Sequence, residues 1–244
     1  MVNTFWNRED FGVIMLYTTG SAHYPKAALS LDLKDQQWEV SVAVSAAVEK
    51  ELKSSEAVIL EVKKILNSNK YTDEEYSTVV AGFIDQVIEH LEAIILLTRS
   101  NINGSAFALV RSVAEGLVRG VWFTACATQP QVLKFRNDDK IDPTFGEMSE
   151  AIDKKCGIDF FADFKKRSWN PLNSYTHTGI LQIGRRFTGN VLEPSYKDAE
   201  IIEMIRMITV CILLLVRPYL VRQKHDVSAK AIDALGDKYG KHQI

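Results

Sequence analysis

The hydrophobic positions of this chain recur mainly with the period of an α-helix. Between residues 105 and 123 almost every side chain is apolar or small, and three charges recur every fourth residue: Arg111, Glu115 and Arg119. At about 100° per residue these charges fall within one ~80° sector of a helix. A helix with this pattern is mostly buried. The charges must therefore pair inside the protein or line a cleft, because an unpaired charge in a core is costly.

Helical patterns continue on both sides of this segment. Apolar stripes run through residues 38–66 and 72–99, and further helices are predicted near residues 143–155, 160–167 and 197–222. The short polar connection at residues 101–104 predicts that the helix after it packs antiparallel on the helix before it. The pattern predicts an all-α bundle of about five to seven helices, with residues 35–244 forming one domain.

Two segments depart from this helical period. Residues 1–34 contain a strand-like run at 11–19 followed by Gly20 and Pro25. They are predicted to be a loosely attached N-terminal arm or an extension upstream of the true start. Residues 169–196 are interrupted by two prolines and three glycines. This second segment is predicted to be an irregular loop, the kind of segment in which sites usually lie on a helical scaffold.

Composition narrows the possible functions. With 244 residues, 46% of them hydrophobic, and a net charge of -2, the chain is too acidic for a broad, non-specific polyanion binder. Its longest uncharged apolar run, residues 207–216, is far shorter than the ~20 residues that span a bilayer. The N-terminus has no secretory signal pattern, and the three cysteines are far apart in sequence. We therefore expect a cytoplasmic protein with reduced thiols and no membrane partner.

Motifs for nucleotide or metal chemistry are absent from the sequence. It contains no glycine-rich phosphate loop, nucleophilic serine elbow, zinc-binding helix motif or dinucleotide fingerprint. No cofactor and no metal site is predicted.

Two stretches together carry a family resemblance: RSVAEGLVRG at residues 111–120 and LNSYTHTG at residues 172–179. With them the chain resembles HEPN-like bacterial helical families, which have a central helix with Arg-x-x-x-Glu and a later Tyr/Ser-rich approach to a histidine. The likeness covers roughly residues 40–225. It implies an all-α, often dimeric bundle, related to toxin, abortive-infection or phage-defence proteins. Well-studied members are metal-independent ribonucleases that use Arg and His from two subunits at a dimer cleft.

The chain departs from the nuclease signature of that family at one point. The signature is an arginine, then four to six intervening residues, then the histidine, but here the places for the arginine hold Asn170, Pro171 and Leu172, and the nearest upstream arginine is Arg167, nine intervening residues away. A catalytic arginine would instead come from elsewhere in the chain: Arg111, Arg119, Arg185 or Arg186.

Two hypotheses remain open for these residues. In the first, a ribonuclease or defence effector, His177 is the general acid or base, and Arg111, Glu115 and Arg119 complete the catalytic group. The residues predicted to bind substrate are Asn173, Tyr175, Arg185 and Arg186. In the second, a non-catalytic interaction or small-anion-binding module, the arginines form a structural ion-pair network with Asp85, Glu89 or Glu92. Expected partners are a second copy of the chain in a homodimer, and RNA or a partner protein.

Overall fold

The computed structural model describes residues 43–72, 75–189 and 191–241. Within these ranges the protein is all-helical apart from one short hairpin, which confirms the predicted fold class. The predicted N-terminal arm lies outside the described residues. In chain order the elements are α1 Ala46–Asn67, α2 Glu75–Arg99, α3 Asn103–Ala125, α4 Gln129–Asp138, α5 Phe145–Cys156, α6 Phe161–Thr176, α7 Ile180–Gly184, β1 Phe187–Thr188, β2 Val191–Leu192, α8 Asp198–Arg222 and α9 Asp226–Lys241.

Helices α2 and α3 form the antiparallel pair that the short connection predicts. Two glycines of α3 allow this close packing. A Cβ at Gly116 would come within 2.5 Å of Val87 Cγ2 on α2, and one at Gly120 within 2.4 Å of Leu215 Cδ1 on α8. Both distances are far below van der Waals contact, so a side chain at either position would require Val87 or Leu215 to move. The glycines in the central sequence motif therefore serve helix packing.

The core lies around α3 and α8. Helix α3 packs against α2, α5, α6 and α8, and α8 also packs against α1 and α9. The apolar run at residues 207–216 lies almost wholly inside the protein as part of α8, which continues through Pro218 to Arg222. Among the described residues, no helix is long and apolar enough to cross a membrane.

The predicted count of five to seven helices is not confirmed, because the described residues form nine. The additional elements are short and lack a clear apolar stripe. For example, α4 is only ten residues long and contains Pro130 at its start. There a capping box between Thr128 and Gln131 begins a new helix, a position where proline is tolerated because its missing N–H would be unpaired anyway.

The prediction of an irregular loop at residues 169–196 is wrong for the first third of this segment. Residues 169–176 belong to α6, which contains Pro171, and the non-helical part begins only at His177. A proline inside a helix costs one backbone hydrogen bond, but Leu172 and Tyr175 in the next turn are 1% and 2% exposed. Burial of their side chains offsets that loss. The remainder of the segment holds α7 and the two-stranded hairpin.

Candidate functional site

Helix α6 brings His177 onto the charged face of α3. His177 is the C-cap residue of α6 and is exposed, and Nη1 of Arg111 contacts its Nε2. The hydroxyl of the preceding residue, Thr176, lies 2.9 Å from the carbonyl oxygen of Leu172 in its own helix and 3.2 Å from that of Ala108 on α3, so its one proton is shared between them. The contact with Ala108 brings the end of α6 against α3. The structure thus joins the two stretches of sequence that carry the family resemblance.

The other end of α6 is held by a buried carboxylate. Asp153 of α5 is 7% exposed and accepts hydrogen bonds from three backbone N–H groups at the start of α6, those of Phe160, Phe161 and Ala162, at 2.8–3.2 Å. Desolvation raises the pKa of this carboxyl group, while the three N–H donors act in the opposite direction. Asp153 therefore positions the helix that carries His177, a role that its sequence context did not predict.

Arg111 is held on three sides. Its Nε donates to Oε1 of Glu115 at 2.8 Å, and its guanidinium carbon lies 4.8 Å from the ring centre of Trp169, in addition to the contact with His177. Trp169 in turn stacks on Phe145 of α5 at 4.1 Å. Sequence analysis missed Trp169 because it placed this residue in a loop rather than in α6. An aromatic ring under a guanidinium fixes its plane and leaves its outer N–H groups free for a ligand.

Glu115 is shared by two arginines. Its Oε2 lies 3.1 Å from Nη2 of Arg119, while its Oε1 binds Arg111. The Nε of Arg119 is buried and has no hydrogen-bond partner among the described residues. We call Arg111, Glu115, Arg119 and His177 the polar centre. With His177 neutral, it carries one net positive charge at a partly exposed surface.

The predicted partners on α2 do not contribute to the polar centre. Glu92 pairs with Lys63 of α1, and Asp85 and Glu89 are exposed and form no ion pair with Arg111 or Arg119. The hypothesis that these acidic residues neutralise the arginines is wrong. The physical reason is the orientation of α3. Gly116 faces α2, whereas the charged side chains of α3 face α6.

The four residues predicted to bind substrate lie in different environments. Tyr175 is 2% exposed and its ring packs 5.2 Å from that of Phe107, so it belongs to the core rather than to the surface. Asn173 is partly buried, and its Oδ1 has no hydrogen-bond partner within residues 43–72, 75–189 and 191–241. Of the two adjacent arginines, Arg185 is bound by Glu200 and by the carbonyl oxygen of Ser195, whereas Arg186 is exposed.

Electrostatics supports this division of roles. Burial disfavours the charge of Arg185, but the hydrogen bond to Glu200 and the nearby Tyr175 outweigh it and raise the pKa of the guanidinium. Arg185 therefore serves an internal ion pair. Arg186 forms no ion pair and no side-chain hydrogen bond within the described part of the chain. It is the member of the pair that is available to a ligand.

Metal-dependent chemistry and catalysis by a cysteine nucleophile have less support in the described residues. Within residues 43–72, 75–189 and 191–241, no three His, Cys, Asp or Glu side chains are grouped so that they could hold a metal ion. The three cysteines are free thiols, and burial raises the pKa of Cys126 to about 11 and that of Cys211 to about 12. These thiols are protonated at neutral pH and are weak nucleophiles.

The fold and the polar centre together define an all-helical protein with an Arg-Glu-Arg face on its central helix and a histidine at the end of a neighbouring helix. A family model described as a family of unknown function (DUF6988) matches residues 84–242, and the chain belongs to this family. The matched range includes every residue of the polar centre. Searches of curated proteins and of solved structures gave no significant match.

Proposed function

We propose that this protein is an HEPN-like, metal-independent ribonuclease that acts in the cytoplasm as a homodimer, of the kind found among toxin and phage-defence effectors. The observation that carries this proposal is the contact between Arg111 Nη1 and Nε2 of the exposed His177. A phosphate-binding cation and a proton-transfer group meet at a surface that a polymer can reach. That combination supports chemistry on a phosphodiester.

The proposed reaction starts from this contact. A guanidinium only donates hydrogen bonds, so Nε2 of His177 is the acceptor and its lone pair is occupied by Arg111. A phosphate group that binds Arg111 takes over this donor and releases Nε2. His177 then removes the proton of the ribose 2′-hydroxyl, and the 2′-oxygen attacks phosphorus. The bond from phosphorus to the 5′-oxygen breaks, this oxygen takes a proton from water, and a 2′,3′-cyclic phosphate remains.

The arginines stabilise the charge that develops on phosphorus. Arg111 is oriented for this by Glu115 and Trp169, and Arg119 lies one helical turn beyond Glu115. Each donated hydrogen bond gains strength as negative charge accumulates on the non-bridging oxygens. Glu115 is a positioning residue in this scheme, since its carboxylate holds both guanidinium groups on one side of α3.

A second candidate function is favoured by the same carboxylate. Because Glu115 binds both Arg111 and Arg119, it neutralises one of them, and the group can serve as a structural ion-pair network or as a recognition surface for a partner protein or small anion. In this non-catalytic module the arginines contribute to stability or partner affinity and His177 carries out no proton transfer.

Incubation of the purified protein with single-stranded RNA in EDTA tests the ribonuclease proposal. We expect cleavage products with 2′,3′-cyclic phosphate ends, and His177→Ala should slow cleavage at least ~100-fold, the usual contribution of general acid–base catalysis. His90→Ala, on α2, is the matched control and should keep full activity. Absence of cleavage by the wild-type protein at high concentration would overturn the ribonuclease proposal in favour of the non-catalytic module.

A further inference from the structure

The first turn of α3 has backbone donors without acceptors. Its N-cap residue, Ile102, has no side chain that could cap the helix, and the first turn contains no acidic residue. The first bond of the helix runs from the N–H of Ala106 to the carbonyl of Ile102, which leaves the N–H groups of Asn103, Gly104 and Ser105 without an acceptor in the described part of the chain. These groups carry the partial positive charge of a 23-residue helix.

A guanidinium lies against the same turn. A Cβ at Gly104 would be 2.9 Å from Nη2 of Arg186, so the absence of a side chain at this position allows the approach. Arg186 has no ion-pair or side-chain hydrogen-bond partner within the described residues. Two groups of the same sign therefore face each other. Their repulsion is relieved by an anion between them.

Buried polar atoms at this turn also lack partners. The hydroxyl oxygen of Tyr196 lies 3.3 Å from the same Cβ position, is buried and has no hydrogen-bond partner among the residues that the structure describes. Burial raises the pKa of this hydroxyl to about 12, so it keeps its proton and can donate at neutral pH. The Oδ1 of Asn103, at the first residue of the helix, also has no hydrogen-bond partner among the described residues, but an amide oxygen only accepts and does not bind an anion. An unpaired buried donor is costly, and an anion that accepts a hydrogen bond from the Tyr196 hydroxyl removes this cost.

We propose that the first turn of α3, together with Arg186 and the Tyr196 hydroxyl, binds a phosphate group. Three kinds of donor converge here: backbone N–H groups, a planar guanidinium and a hydroxyl. They suit a group with several anionic oxygens better than a carboxylate, which has only two. Arg186 is exposed, so rotation of its side chain opens the turn to solvent.

The position of this turn connects it with the polar centre. Gly104 and Arg111 are seven residues apart on α3, which places them within ~20° of the same face and about 10 Å apart along the axis. That distance corresponds to about three nucleotides of a stacked strand at ~3.4 Å each. We assign the phosphate to the same strand that the polar centre cleaves. This assignment rests on the proposed ribonuclease function, whereas phosphate binding itself does not.

Titration of the full-length protein with inorganic phosphate at low salt, followed by NMR or calorimetry, tests the site. Arg186→Ala is expected to weaken binding about tenfold, the effect of losing one charge-assisted interaction. Tyr196→Phe should weaken it several-fold without lowering the melting temperature, because the hydroxyl it removes has no partner within the described part of the chain. A lower melting temperature with unchanged phosphate affinity would indicate a structural hydroxyl and overturn its assignment.

Arg167→Ala is the matched control, since Arg167 is a partly exposed arginine of α6 that pairs with Asp163. It should leave phosphate affinity unchanged. Equal phosphate affinity of wild type, Arg186→Ala and Tyr196→Phe would overturn the site.

A 2′-deoxy oligonucleotide, which cannot be cleaved by this chemistry, tests the second part of the proposal. If Arg186→Ala weakens phosphate binding but not oligonucleotide binding, the assignment to the same strand is overturned and the phosphate site stands. If the protein cleaves no RNA but the phosphate site responds to both variants, the proposed ribonuclease function fails and the site again stands. The two proposals are thus separated by different measurements.

Discussion

The polar centre on α3 differs in its connections from a second charged group, which lies between α1, α8 and α9. There, Glu51 of α1 is 8% exposed and accepts hydrogen bonds from Arg206 of α8 at 3.0 Å and from the hydroxyl of Tyr239 of α9 at 2.7 Å. We call these three residues the buried network. It joins three helices, whereas both ion pairs of the polar centre lie within α3 itself.

This difference indicates which group serves stability. In the buried network, Glu51 is nearly inaccessible and its two partners come from other helices, so a truncation leaves a buried polar group behind. In the polar centre, the side chains of Arg111, Glu115 and Arg119 are 20–39% exposed, and His177 contributes the contact that crosses to another helix. If one of these side chains is truncated, water can replace the hydrogen bonds that its partners lose. We infer that the buried network specifies the fold and that the polar centre is available for function.

The largest expected effect is on stability, in the buried network. Glu51→Ala should lower the free energy of unfolding by about 3 kcal/mol, because it leaves the Tyr239 hydroxyl unsatisfied and Arg206 without its carboxylate. Urea unfolding monitored by circular dichroism measures this. The control, Glu61→Ala, removes an exposed pair with Lys64 on the same helix and should cost less than ~0.5 kcal/mol. Equal losses in the two variants would contradict a structural role for the buried network.

A smaller loss in the free energy of unfolding is expected for Asp153, which holds the start of the helix that carries His177. Asp153→Ala should cost about 2 kcal/mol, the upper range for removal of a helix cap, because three N–H groups at the start of α6 lose their acceptor. Unfolding in urea gives the free energy, and hydrogen exchange shows whether α6 opens first. Asp163→Ala, in the first turn of the same helix, provides the comparison and should cost less than ~0.5 kcal/mol. Unchanged exchange in α6 would show that Asp153 does not hold this helix.

The effect of Glu115→Gln on oligonucleotide binding shows whether Glu115 belongs to a functional group or to a structural network like that of Glu51. Glu115→Gln should cost less than about 1 kcal/mol of stability, as expected for helical pairs at i, i+4 spacing. It should also tighten the binding of a 2′-deoxy oligonucleotide at low salt, since the local net charge rises from one to two. Fluorescence anisotropy at several salt concentrations measures this change. Weaker binding together with a loss of several kcal/mol would place Glu115 in a structural network like that of Glu51.

The smallest effect concerns a partly exposed ion pair between α1 and α2. Arg99 of α2 bonds to Glu49 and Glu56 of α1, and its hydrogen bond holds the pKa of Glu56 below the usual value. A lowered folded-state pKa stabilises the protein above the unfolded-state pKa near 4.5, and this contribution is lost as the pH falls through the folded-state value.

Glu56→Gln should therefore be less stable than wild type at pH 7, by less than ~1 kcal/mol because the pair is partly exposed, and the difference should shrink as the pH falls below 4.5. Unfolding curves measured between pH 7 and pH 3 test this. A stability difference that does not shrink on acidification would show that the carboxylate charge of Glu56 is not its source.

The sequence predicted the all-helical fold and the charged face of α3. It did not predict which helix packs against that face. Arg111, Glu115 and Arg119 are spaced four residues apart, and helical periodicity alone places them on one side of a helix. Whether the sector faced α2 or α6 depended on Gly116 and Gly120, whose packing role appears only when α2 and α8 are in place.

The boundary of α6 escaped sequence analysis for a similar reason. Pro171 is a local signal against a helix, and the opposing contributions come from residues distant in sequence: Asp153 at its start and the core around Tyr175. The roles of Trp169 and Tyr196 depended on this same tertiary context. The contact between His177 and Arg111 was also left open by the sequence, because the distance between two residues on different helices depends on how α6 packs on α3.

The central claim is that the polar centre serves chemistry rather than stability, and Arg111→Ala tests it most directly. The free energy of unfolding and the rate of RNA cleavage in EDTA are measured on the same preparation. We predict a stability loss of about 1 kcal/mol, from one i, i+4 pair and one cation–π contact, together with a fall in cleavage of at least ~100-fold. A loss of about 3 kcal/mol or more with an unchanged cleavage rate per folded molecule would contradict the claim.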